Sequence, residues 1–293
     1  MTAIELKKVE IDEALVDDFI TRALHEDIRD GDHTSLSTIP SDSRDTARLL
    51  VKDVGVISGI AIAERVFKKV DPSCTFTQFI SDGTAVRFGD IAFTVECNSQ
   101  ALLQGERLAL NIMQRMSGIS SLSNRFLFEI EDLDVKIIDT RKTTPNLRYF
   151  EKMAVRLGGC HNYRDGLYDW IMIKDNHIDA CGTITDAINR VADYQKEKGL
   201  NLNVTVEVRN LVELEEVLRV GEGKVTRIML DNFDLPILHE AVAHINKRFE
   251  SEASGGININ TIRNVAKSGV DFISVGALTH SATSLDMSLK IVK

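Results

Sequence analysis

The chain has 293 residues and a net charge of −9; its 43% hydrophobic and 27% charged content is ordinary for a water-soluble globular protein. That length suits two domains and a core large enough to need no staples. The acidity argues against general nucleic-acid or anionic-membrane binding but leaves room for a local pocket that takes a small anion. Cys74, Cys97, Cys160 and Cys181 form no C-x-x-C pair and are expected to be reduced thiols of a cytoplasmic protein. The N-terminal "MTAIELKKVEIDEALVDDFI" mixes charges with apolar residues, unlike a secretory signal or a transit peptide. No apolar run reaches the ~18 residues of a membrane span.

Residues 1–115 are expected to form a first, α+β domain. Leu15 to Leu24 has helical periodicity, and the polar, turn-rich "HEDIRDGDHTS" follows. Short β-like runs come next, "ARLLVKDVGVISG", "CTFTQFI" and "DIAFTVECN", punctuated by Asp82-Gly83 and Gly89-Asp90, as in an antiparallel sheet. A helix, "ALLQGERLALNIMQRMSG", leads onward with Leu108, Ile112, Met113 and Met116 at helical spacing, and Gly118 is placed to stop it.

From residue 116 to 293 the rhythm changes to short apolar runs alternating with helical segments. The runs are 135–139 (VKIID), 170–174 (WIMIK), 204–208 (VTVEV), 227–230 (RIML), a weak one near 247–251, and 271–275 (DFISV). Amphipathic segments such as "TDAINRVADYQKEKG", "LVELEEVLR" and "NTIRNVAKSG" lie between them, which implies parallel βα units. Six strands are too few for a complete eight-stranded barrel, so the expected fold is an incomplete α/β barrel, with an open doubly wound sheet as the alternative. No G-x-G-x-x-G opens a helix after the first of these strands, which weakens a dinucleotide-binding reading.

The ends of these runs carry the chemistry. They lead into Asp139-Thr140-Arg141-Lys142, Lys174-Asp175-Asn176, Glu207 with Arg209, Asp231-Asn232, Glu252 with Ser254-Gly255-Gly256, and Gly276-Ala277. Ligands of parallel α/β folds bind at the C-terminal ends of the strands. One charged strand end is an ordinary solvated loop; several in register point to a site. Residues 139–164 hold six Lys/Arg (Arg141, Lys142, Arg148, Lys152, Arg156, Arg164) against Asp139 and Glu151, a polyanion pocket by charge. A solvated basic helix face accounts for Lys152 and Arg156, but not for Arg141 and Lys142 at a strand end. Glu207 and Asp231 end successive strands, a pairing that suits Mg²⁺ shared with phosphate oxygens; ion pairing with the basic cluster is the competing explanation. The glycine-rich turns 254–256 and 276–281 let backbone N–H groups approach a phosphate.

"DTRKTTPNLR", "GLYDWIMIKDNHI", "VEV", "IMLDNFD", "ASGGI" and "ISVGALTHS", together with "ALHEDIRDGDHTS" and "GERLALNIMQRMSGIS", stand in the order and spacing of the quinolinate phosphoribosyltransferase family, which this chain resembles over nearly its whole length. The resemblance implies an N-terminal α+β open-sandwich domain, an incomplete TIM-like barrel of about seven strands, and a homodimer whose active site is shared between subunits. It implies transfer of the phosphoribosyl group of phosphoribosyl pyrophosphate (PRPP) to quinolinate, with loss of CO₂, in NAD biosynthesis. By that resemblance Arg141, Arg164 and Lys174 hold quinolinate, with Arg107 from the partner subunit, and Lys142 faces the PRPP phosphates. Glu207 and Asp231 serve the ribose hydroxyls and Mg²⁺, and Ser254, Gly255, Gly256, Gly276, Ala277 and His280 the 5-phosphate.

The family commonly has Asn-His-Arg where this chain has Asn162-Tyr163-Arg164, and its His contacts the dicarboxylate. Tyr163 carries no positive charge at neutral pH, so His161 is a candidate to take over. Asn146 stands where the family often has glycine, and His177 is expected to fix the "KDNH" turn. Three competing readings remain at this point: a paralogue acting on another acceptor, a Schiff-base enzyme using Lys174, and a binding protein without turnover.

Overall fold

A computed structural model describes residues 11–292, so the first ten residues, half of the N-terminal stretch read as carrying no leader, lie outside it. In chain order the elements are α1 (Glu13–Ile28), α2 (His33–Thr38), β1 (Arg44–Val51), β2 (Gly55–Val56), α3 (Ile60–Val70), β3 (Thr75–Gln78), β4 (Ala85–Val86), β5 (Ile91–Asn98) and α4 (Ser99–Phe128). There follow β6 (Lys136–Ile138), α5 (Arg148–Leu157), β7 (Ile171–Ile173), α6 (Asp175–Cys181), α7 (Ile184–Lys198), β8 (Val204–Val208) and α8 (Leu211–Val220). The last are β9 (Arg227–Asp231), α9 (Leu235–Ile245), β10 (Glu250–Ser254), α10 (Ile262–Ala266), β11 (Phe272–Ser274), α11 (Ala277–His280) and β12 (Met287–Ile291). Among the described residues no helix is long and apolar enough to cross a membrane.

Two compact units emerge. The first comprises residues up to Asn124, Tyr149–Gly159 and Ala282 onward; the second comprises Arg125–Arg148 and Cys160–Ser281. The first unit holds an antiparallel sheet in the order β12-β1-β5-β3. The chain's last strand therefore returns to its first, with Leu49 opposite Leu289. Alternation sets the buried face: Ala47, Leu49 and Val51 of β1 and Phe93, Val95 and Cys97 of β5 are fully or almost fully buried. Against them pack Phe67 of the amphipathic α3, its ring 6.2 Å from that of Phe93, and, from β3, Phe76, whose ring lies 4.4 Å from that of Phe93.

Gly118 does not end α4, which runs on to Phe128. The glycine answers a different need: a Cβ there would lie 2.0 Å from the carbonyl oxygen of Thr283, so a backbone strand passes directly over the helix. Other segments close on the same helix through Ser117, Ser120 and Ser121, whose hydroxyls bond to the backbone of Ser58, Ala154 and Val56. Lys152, read as solvated, is buried in α5, whereas Arg156 is exposed. Helix α5 buries residues 150–155 without a break, so only its ends face water.

The second unit is a parallel sheet in the order β6-β11-β10-β9-β8-β7. All six expected strands form. The weak one lies three residues later than expected, at Glu250–Ser254, and "NTIRNVAKSG" yields only the short α10. A single parallel bridge adds His161 beside Ile138 on the outer side of β6. This makes a rudimentary seventh member between β6 and β7. Among the described residues no pairing joins it to β7, so the ring stays open there: an incomplete barrel, as expected. The helices are capped by their own sequence, Thr183 accepting from Asp186 N on α7 and Asn210 from Glu213 N on α8.

Candidate active site

Period two along the strands builds the site. Residues two apart point the same way, so Met172 and Lys174, Met229 and Asp231, Glu252 and Ser254, and Ser274 and Gly276 all line one cavity of about 820 Å³ at the C-terminal ends of the strands. One pleat further down, Lys136, Trp170, Arg227 and Phe272 line a second cavity of about 250 Å³ beside the open seam. Tyr163 and Arg164 border both.

At the rim, Lys174 Nζ donates to Glu207 Oε2 at 2.8 Å, so ion pairing does account for part of what Glu207 does. Lys174 is itself held by the turn after it: its backbone N–H donates to His177 Nδ1 at 3.0 Å, the structural role expected of that histidine. Asn232 has a left-handed backbone, φ 56°, and its amide donates to Asp231 Oδ2 at 2.6 Å. The turn after β10 packs on it, for a Cβ on Gly255 would lie 2.2 Å from Asn232 Oδ1. Gly255 and Gly256 both have positive φ, 93° and 61°. Across the rim, a Cβ on Gly276 would lie 3.0 Å from Lys142 Cδ, and the Thr279 hydroxyl donates to the Lys142 carbonyl at 2.8 Å. The chain following β6 is thereby fastened to α11. Asn146, φ 64°, adopts the left-handed conformation that explains the family's glycine.

Arg141 and Arg164 are shielded from water more than Lys142, which is exposed. Arg164 is buried, with one long bond to the carbonyl of Trp170 at 3.3 Å. Burial, and Arg141 beside it, pull its guanidinium below the ordinary value. Arg141 Nε is buried with no hydrogen-bond partner. Buried donors without acceptors cost stability, and two guanidinium groups together at one cavity wall call for an anion between them.

The bonds that build the floor were not legible in advance, although Tyr163 and Glu252 were singled out. The Tyr163 hydroxyl bonds to Thr205 Oγ1, which also accepts from Trp170 Nε1 at 2.9 Å. The Tyr163 ring meets Trp170 edge-on at 5.3 Å, and its backbone N–H is held by buried Asp139 at 2.8 Å. Burial and the nearby Glu252 push the Tyr163 phenol up. Below it Arg227 stacks on Phe272 at 3.7 Å and pairs with Glu250 at 2.8 Å and Glu252 at 3.3 Å. Glu252 is fully buried, its carboxyl pushed up by that burial against the pull of Arg227, and its Oε1 has no hydrogen-bond partner.

Of the residues expected from sequence, the cavity brings together Arg141, Lys142, Tyr163, Arg164, Lys174, Glu207, Asp231, Ser254, Gly255, Gly256, Gly276, Ala277 and His280. It does not bring in His161, which lines the smaller cavity because its strand position faces the seam. Arg107 lies exposed on α4, in the other compact unit. The wall residues Met172, Met229 and Ser274 were missed, although each stands two residues from one that was found. Among the described residues no group of three or more His, Cys, Asp or Glu is placed to hold a metal ion.

Comparison with known proteins agrees with this arrangement. The chain matches "Quinolinate phosphoribosyl transferase, N-terminal domain" over residues 32–117 and "Quinolinate phosphoribosyl transferase, C-terminal domain" over 119–290. It is 44% identical, over 93% of its length and 81% of the relative's, to "Nicotinate-nucleotide pyrophosphorylase [carboxylating], chloroplastic" of Arabidopsis thaliana. It is 38% identical to the probable enzyme of that name from Synechocystis, covering 95% of this chain and 93% of that one. Among solved structures, NadC from Streptococcus pyogenes superposes with a TM-score of 0.90 at 37% identity, covering 97% of this chain and all of that one. Two family domains in order, on a parallel sheet whose strand ends carry the expected charges, leave one assignment: the chain belongs to the quinolinate phosphoribosyltransferase family.

Proposed function

We propose that this protein joins quinolinate to PRPP, releasing diphosphate and CO₂ and leaving nicotinate mononucleotide, a step of NAD biosynthesis. The observation that carries the reading is the cavity with buried Arg164 and half-buried Arg141 and Lys174 at one side and a left-handed glycine pair at another. Quinolinate brings two carboxylates, which Arg141, Arg164 and Lys174 match in charge. PRPP brings a diphosphate toward Lys142 and a 5-phosphate toward the turns 254–256 and 276–280, with His280 beside the second.

Glu207 and Asp231 are the residues that would hold Mg²⁺. Two carboxylates on adjacent strand ends suit an ion that takes most of its ligands from phosphate and water. When bound, it would neutralise the diphosphate charge. The chain's own groups do the rest. Lys142 stabilises the departing diphosphate, and the carboxylates favour positive charge developing at ribose C1. The arginines orient the ring nitrogen toward that carbon. Once the nitrogen is quaternary, the ring draws electrons from the C2 carboxylate bond and CO₂ leaves; no side-chain nucleophile is needed. Lys174 donates to Glu207 at 2.8 Å and matches a carboxylate in charge, so the proposed reaction does not call on it as a Schiff-base amine.

The subunits are proposed to pair as a homodimer, with Arg107 of one reaching the acceptor pocket of the other, and the protein to work in the cytoplasm, in keeping with its four free cysteines. The deciding assay supplies quinolinate, PRPP and Mg²⁺ and measures nicotinate mononucleotide and CO₂. Product from nicotinate at an equal rate, or from neither acid, would overturn the assignment.

A further inference from the structure

The first unit carries a pair of cysteines that the proposed reaction does not use. β3 and β5 pair antiparallel with Thr75 opposite Glu96, Phe76 opposite Val95, Thr77 opposite Thr94 and Gln78 opposite Phe93. The ladder ends at Thr75 and Glu96, and carrying its register one residue further, into the turn closed by Asp71, sets Cys74 opposite Cys97. Both point to the core. Side chains two apart share a face, so Cys97 goes with the buried Val95 and Phe93, and Cys74 with Phe76, whose ring rests on Phe93.

The ladder also sets how close the two come. Phe79 N–H donates to the Ala92 carbonyl at 2.9 Å, and these residues are opposite in the same register. Hydrogen-bonded and non-hydrogen-bonded pairs alternate along an antiparallel ladder. Counting back by twos from Phe79 makes Thr77 and Thr75 hydrogen-bonded positions; Phe76 and Cys74 are not. At non-hydrogen-bonded pairs the Cα atoms stand about 4.5 Å apart with the side chains brought together, inside the ~4.4–6.8 Å spanned by disulfides. The two thiols are near enough to act on each other: burial, and then Cys74, push the Cys97 thiol up to about 12. Both are free, Cys97 sealed in the core and Cys74 half-exposed at the start of the sheet's edge strand.

We infer that Cys74 and Cys97 form an oxidisable pair, which a peroxide converts to a disulfide that staples edge strand β3 to β5. The Cys74 thiolate attacks one peroxide oxygen, forming a sulfenic acid and releasing the other oxygen as water or an alcohol. The Cys97 sulfur then displaces the sulfenic hydroxyl, which leaves as water with the Cys97 proton. Two thiols are oxidised and one peroxide is reduced. Only Cys74 needs contact with solvent, and only Cys74 has it. Because burial raises the Cys74 thiol as well, the thiolate is scarce at neutral pH and the rate should climb about tenfold per pH unit on the alkaline side.

The test treats the intact protein with hydrogen peroxide at mildly alkaline pH, blocks remaining thiols under denaturing conditions, and maps the digest by mass spectrometry. The expected product is a Cys74–Cys97 linked peptide lacking two hydrogens, reversible by dithiothreitol, with slowed amide exchange over residues 75–78. Cys74→Ser should abolish it and Cys181→Ser should leave it intact. Further oxidation of Cys74 to sulfinic acid while Cys97 remains open to alkylation would overturn the pairing. So would linkage of Cys74 to a second molecule.

Discussion

Tyr163 shows what a single position does in this site. Its hydroxyl is committed to Thr205 beneath the cavity, while its neighbour Arg164 supplies the charge at the wall. Tyr163→Phe keeps the contact with Trp170 and forfeits one buried hydrogen bond, so urea unfolding should register a loss of about 1 kcal/mol. The KM for quinolinate should move less than ~3-fold, since no bond to a carboxylate is lost. Arg164→Ala removes a charge-assisted partner and should raise that KM by roughly a hundredfold or more. Steady-state kinetics on the two variants separates a floor residue from a ligand-binding one; equal effects would place Tyr163 against the substrate after all. The rim charges were readable because a Lys or Asp at the end of an apolar run stands out. The floor was not, because Met172 and Met229 look like any core residue, and because the chain folds Arg227 and Glu252 together from different strands.

Among the elements, α4 carries the clearest lesson. Helix propensity alone favours alanine over glycine by about 1 kcal/mol. Gly118→Ala should nevertheless destabilise the protein, by roughly 1–3 kcal/mol, because the new methyl meets the Thr283 carbonyl at a distance no packing tolerates. Calorimetric Tm comparison decides the sign, and a Tm above that of the wild type would contradict the close approach. Sequence spacing revealed the helix and misread its glycine. A glycine that ends a helix and one that admits a neighbouring backbone look identical until the returning C-terminal segment is in place. Shorter strands behaved better: β7 and β11 have three residues each, yet both were found because each centres on a short apolar run between polar segments.

At the scale of the whole molecule, acid stability offers a test. Arg263 of α10 grips Asp132 through two bonds of 2.7 and 2.8 Å, holding its carboxyl at about 2, below the ordinary 3.8. A depressed carboxylate stabilises the folded state fully above its unfolded value and loses that effect as pH falls through the folded one. Between about pH 4 and pH 2, therefore, the wild type should lose stability that Asp132→Asn lacks from the outset. Urea midpoints across that range should converge; curves that stay parallel would remove Asp132 from the acid transition. Assembly offers another. At quinolinate well below their raised KM, Arg107→Ala and Arg164→Ala should each show little activity, and mixing them should restore part of it if one site draws on two subunits. No recovery after verified subunit exchange would count against sharing.

Sequence by itself determined the order of the elements, the parallel character of the second unit and the charges at its strand ends. Those follow from hydrophobic period and chain direction, which are local properties. Tertiary structure alone decided that the C-terminal strand pairs with β1, that the barrel stays open beside His161, and that Lys152 is buried. It also decided that Arg227 is enclosed by three aromatic rings under the cavity floor. Each of these depends on partners far away in the chain, and a side chain's burial or hydrogen bonding is set by what packs over it rather than by its neighbours in sequence.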